Sequence, residues 1–185
     1  MADPRPLADA SDKTDRNFLL ATLASLNDPS FAAQAQAQLI QSDGKVDAAA
    51  LKYLQQTQPD KALAIAMQAY QDQRLTDGQA KERLAQVSLD SAGLDPSADQ
   101  FFKMALNDPN IPADDRRNLA EDFADHGVNA KNPSARDFQV MQNRYGQLDQ
   151  LMANATDPLI VAGLTEAKKD LTKFISSYLD QNPGK

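Results

Sequence analysis

An all-α protein, made of antiparallel helix pairs stacked as a short α-solenoid or irregular bundle and closed by a C-terminal antiparallel helical hairpin, is what this sequence predicts. Three observations lead there. Ala, Gln, Leu, Asp and Lys dominate the composition while β-branched and aromatic residues are scarce, a balance that favours helix over strand. Asp stands directly before Pro at Asp28-Pro29, Asp95-Pro96, Asp108-Pro109 and Asp157-Pro158. Asp accepts from the free N–H groups of a first helical turn, and Pro fits the first helical position because its missing donor is not needed there. These pairs therefore mark helix starts or tight inter-helix turns. Between them apolar residues recur at helical steps, and no segment alternates as a strand does.

Taken in order, residues 1–12 are expected to form a disordered tail, followed by a first helix over Asp15 to Leu26 with Phe18, Leu19, Leu23 and Leu26 inward. A second follows Pro29 to about Gln41, and Ser42-Asp43-Gly44 ends it, since Gly accepts the left-handed backbone that closes a helix. A third runs from about Val46 to Thr57. The fourth, Pro59 to about Gln73, is apolar around most of its circumference and is expected to be central. The fifth is capped by Thr76 and carries Ala80, Leu84 and Val87. A sixth follows Pro96, and a seventh runs from about Pro112 to a stop at Gly127. In the last pair, Phe138, Met141, Tyr145, Leu148 and Met152 advance by threes and fours, as do Ile160, Leu164, Ala167, Leu171, Phe174 and Tyr178. That is coiled-coil spacing, and the short link at Asp157-Pro158 forces the two helices to fold back on each other. Gly146 and Gly163 lie at comparable distances from the turn; either the two backbones approach closely there, or both glycines are neutral in long helices. Residues 13–181 are read as a single helical domain, with halves at 13–92 and 93–181 if it divides, and 182–185 as a tail.

Charge and composition exclude several function classes. The chain of 185 residues holds 19 Lys and Arg against 26 Asp and Glu, a net charge of −7, and that average field repels a phosphate backbone. No nucleic-acid partner is expected. There is no cysteine, hence no disulfide, thiolate metal site or cysteine nucleophile. No run of apolar residues is long enough to span a bilayer, so direct membrane insertion is not expected. Met1 to Arg16 contains Asp3, Asp9, Asp12 and Asp15 where a secretory signal needs a positive start and an apolar middle. The expectation is a soluble protein, cytoplasmic or the soluble part of an envelope protein whose leader or anchor lies outside this sequence.

Leu26-Asn27-Asp28-Pro29 recurs 80 residues later as Leu106-Asn107-Asp108-Pro109, the length of about two helix pairs. Around the second copy, Phe101 to Pro109 followed by Asn118-Leu119-Ala120, Phe123 and Gly127 resembles the end of one tetratricopeptide unit and the first helix of the next. Leu119, Ala120, Phe123 and Pro109 fall near the family's positions. The spacing from Pro109 to Leu119 is one residue too long, and Arg116 stands about where the family carries a large aromatic. Phe101 to Leu179 is also similar to C-terminal segments of uncharacterised bacterial helical proteins. These resemblances imply a helical-repeat fold and no activity.

His126, the single histidine, sits beside Glu121, Asp122 and Asp125, an arrangement open to a general base or a metal ligand. The structural reading is preferred: a histidine in a last turn meets the helix dipole and its unpaired carbonyls. Asp114 and Asp115 belong to a first turn, where negative charge is stabilising. Asp90 to Asp99 comes nearest to a calcium loop and lacks the terminal Glu. Phosphate loops, nucleophile elbows and paired histidines are missing from the sequence. Ala32-Ala33, Ala35, Ala37 and Ala48-Ala49-Ala50 read as packing faces, and Tyr53, Tyr70, Tyr145 and Tyr178 as core or core-edge residues whose hydroxyls reach water. No catalytic, cofactor-binding or metal-ligating residue is assigned, and no cofactor. The expected role is a non-enzymatic scaffold that binds another protein; the alternatives are a small-ligand or lipid-binding bundle with an apolar pocket, or a self-associating protein, so that a homo-oligomer stays open.

Overall fold

A computed structural model describes residues 31–129 and 131–183; the expected N-terminal tail, the helix at Asp15 to Leu26 and the Asp28-Pro29 corner lie outside them. The described residues form eight helices: α1 (Ala32–Ala37), α2 (Ala48–Thr57), α3 (Pro59–Tyr70), α4 (Gly78–Leu89), α5 (Pro96–Leu106), α6 (Ala113–Asp122), α7 (Ala135–Asn154) and α8 (Pro158–Gln181). Among them no strand forms, and the only extended pairing is an isolated antiparallel bridge between Ile40 and Val46. The chain divides into two compact units at Leu84/Ala85, within α4.

In the first unit, α1 stops at Ala37, short of the expected Gln41. The chain instead doubles back: the Gln41 N–H donates to the Lys45 carbonyl at 2.8 Å and the Asp47 N–H to the Leu39 carbonyl at 2.8 Å. Gly44 makes this turn with φ +77°, and a Cβ there would lie 2.5 Å from Thr76 Oγ1, so both backbone angle and space require glycine. The cap of α2 is Asp47, one residue beyond the expected start at Val46. Its Oδ1 accepts from the N–H groups of Ala49 and Ala50, both at 3.0 Å, and its Oδ2 from Gln41 Nε2 at 3.1 Å. Burial of Asp47 is tolerable because these bonds replace its water. α3 buries Ala62, Ile65, Ala66, Ala69 and Tyr70, but Ala64 is exposed and Leu63 and Met67 are half-buried. It therefore packs on one side, since Ala presents too little surface for its apolar circumference to demand burial all round. α4 is capped by Asp77, whose Oδ1 accepts from the Ala80 N–H at 2.9 Å, and not by Thr76.

The second unit holds two Asp-Pro helix starts. Asp95 Oδ1 accepts from the Ser97 N–H at 2.8 Å, and Asp157 Oδ1 from the Leu159 N–H at 2.9 Å. Asp108-Pro109 makes a turn instead: Asp108 Oδ1 takes the Asn110 N–H at 2.9 Å, and Ile111 drops into the core before α6 begins. Phe102 of α5 and Phe123, just past α6, stack with centroids 4.6 Å apart.

α7 and α8 form the antiparallel hairpin. Phe138 stacks on Tyr178 at 4.2 Å, Asp149 takes Lys168 Nζ at 2.6 Å, and the Thr165 hydroxyl points at the Met152 sulfur, pairs that converge on the turn as an antiparallel register requires. α8 also lies across α6. A Cβ on Gly163 would sit 2.7 Å from the Arg117 carbonyl, while one on Gly146 meets nothing within 4 Å. The close backbone approach is thus between α8 and α6, and Gly146 has no part in the hairpin seam. The buried face of α7 is Val140, Met141, Arg144, Leu148 and Leu151, with Phe138, Tyr145 and Met152 half-buried beside it. Two partners share this helix: α8 takes the predicted seam, and the turns that follow α4 and α6 take the side centred on Arg144.

Candidate functional site

The densest polar arrangement in the second unit is centred on Arg144. Arg144 is 1 % exposed although among the described residues no carboxylate pairs with it. Instead Nη2 donates to the Leu89 carbonyl at 2.8 Å, Nε to the Ala92 carbonyl at 3.0 Å and Nη1 to the His126 carbonyl at 2.9 Å, with a longer contact to the Ala124 carbonyl at 3.5 Å. Those carbonyls come from the end of α4 and from the turns after α4 and α6, where a helix leaves acceptors without intrahelical donors. One planar fork with five N–H groups satisfies both ends and places a cation where the helix dipoles are negative. The guanidinium also lies 5.6 Å from the centroid of the Phe123 ring. Burial pushes Arg144 down to about 10, against the pull of Asp125, Asp99 and Asp90, so it stays protonated at neutral pH.

The neighbours of Arg144 on α7 complete the clamp. Asn143 Nδ2 donates to the Gly93 carbonyl at 2.7 Å; the Gly93 N–H donates to Asp99 Oδ1 at 2.8 Å, and Asp99 Oδ2 takes Gln147 Nε2 at 2.7 Å. Gly93 has φ +83°, and a Cβ on it would stand 3.0 Å from Arg144 Cγ. The calcium-like stretch Asp90 to Asp99 is thereby accounted for: Asp95 caps a helix and Asp99 is occupied by the α4–α5 turn and α7.

His126 lies on the rim of this network. Its Nε2 is 2.8 Å from Oδ1 of Asp90, which directly follows α4, and both side chains are more than a third exposed. The acids near it in sequence do not orient its ring by any described hydrogen bond; Asp122 is instead held above the usual carboxylate range by partial burial and by the neighbouring charge of Asp125. Asp114 and Asp115 occupy the first turn of α6, where the dipole reading put them. Among the described residues no three His, Asp or Glu groups come together in a way that would hold a metal ion. Tyr53 differs from expectation: it is wholly buried, and its hydroxyl accepts from the Phe31 N–H at 3.3 Å in place of water.

A second concave feature lies in the first unit, a groove of about 230 Å³ bordered by Gln41, Lys45, Asp47, Ala49, Asp77 and Arg83. It opens to solvent between the capped starts of α2 and α4, and its polar rim differs from the apolar pocket that a lipid-binding bundle calls for. The Ala runs divide: Ala32, Ala35 and Ala50 are buried, whereas Ala33, Ala37 and Ala48 are exposed. No described helix is long and apolar enough to cross a membrane.

Comparison of the chain with family models, with curated proteins and with solved structures finds no match.

Sequence reasoning missed Arg144 because an arginine between polar neighbours scores as solvated face. The signal was positional: Val140, Arg144 and Leu151 share one side of α7, so a core stripe passes through the cation.

Proposed function

We propose that this chain is a non-enzymatic helical scaffold that mediates protein–protein interaction. The observation that carries the reading is the α7–α8 hairpin, two helices of 20 and 24 residues anchored midway along α7 by Arg144 and at the connecting turn by Arg116 Nη2 donating to Asp157 Oδ2 at 3.0 Å. Anchored rods lose little further entropy when a partner docks on their outer faces, which favours binding. Leu159 and Leu179 stand exposed on α8, on opposite flanks of its buried stripe, and each offers an apolar anchor.

The test is affinity capture from cells of the source organism with the immobilised chain, alongside a Leu159→Asp/Leu179→Asp variant. A specific partner retained by the first and lost by the second is the expected result. Absence of any reproducible partner at micromolar bait defeats the reading.

The groove beside Lys45 and Arg83 favours a second reading, a binder of a small polar ligand. A thermal-shift screen against small charged metabolites tests it; melting temperatures that stay constant across the screen set it aside.

A further inference from the structure

We draw no further inference here: the strongest candidate, the polar groove between the starts of α2 and α4, belongs to the site already described, where exposed Lys45 and Arg83 add only surface charge to two helix N-termini and the buried Asp47 is already bonded to Gln41, Ala49 and Ala50.

Discussion

Arg144 Nη2 donates to the carbonyl of Leu89 at 2.8 Å, across 55 residues of chain, and the same guanidinium reaches the Ala92 and His126 carbonyls. A buried cation thus has its hydrogen bonds met by backbone carbonyls at helix ends, while Asp125, Asp99 and Asp90 act on it only from farther off. Replacing Arg144 by Ala leaves those buried acceptors without donors, each worth about 1–3 kcal/mol. The expected loss is about 3–5 kcal/mol in urea unfolding, with Arg144→Lys recovering less than half because an ammonium cannot span three carbonyls in one plane. A loss below about 1 kcal/mol would show the network to be incidental.

The two glycines of the hairpin are expected to respond with opposite sign. Gly146→Ala adds a Cβ in open space and gains about 0.5–1 kcal/mol from helix propensity. Gly163→Ala places its Cβ 2.7 Å from the Arg117 carbonyl and 3.1 Å from Ala120 Cβ. Moving α8 off α6 to make room costs about 1–3 kcal/mol and outweighs the propensity gain. Thermal melts of the two variants decide it.

Asp157 combines two tasks, capping α8 with Oδ1 and taking Arg116 with Oδ2. Asp157→Asn keeps the cap and loses the charge, with an expected cost of about 0.5–1 kcal/mol at this partly exposed pair. Asp157→Ala loses both and costs about 2 kcal/mol. Equal effects of the two substitutions would mean that the ion pair carries all of the contribution.

Asp122 supplies a pH test. Its folded pKa lies above the usual carboxylate value of 3.8, raised first by burial and then by Asp125. A carboxyl raised in the folded state binds its proton more tightly there than when unfolded, so its penalty is absent below pH 3.8 and grows as pH rises through the folded value. Asp122→Asn is therefore expected to raise the melting temperature at pH 7 and to leave it unchanged near pH 3. A variant that is equally stabilised at both pH values would assign the effect to packing.

At the other sign stands Asp72, held down to about 2 by the Arg74 guanidinium and backbone N–H. Its contribution is complete above the usual value of 3.8 and disappears as pH falls towards 2. Carboxyl chemical shifts should place its midpoint there in the wild type and higher, but still below the usual value, in Arg74→Ala, which removes the guanidinium and keeps the backbone N–H.

What the sequence determined by itself was local. Asp95-Pro96 and Asp157-Pro158 start helices because capping chemistry is complete within four residues, and the spacing of Ile160 to Tyr178 defines a rod because periodicity needs no partner to be read. The all-helical fold and the closing hairpin follow from such signals. Tertiary structure decided which side of each rod is buried and which polar groups go with it. It placed Arg144 in the core, sent Gly163 against α6 in place of α7, and gave His126 to Asp90. The physical reason is that a buried polar residue is stabilised by acceptors that other segments bring to it. Three carbonyls supplied by residues 18 to 55 positions away leave no trace in the letters around Arg144.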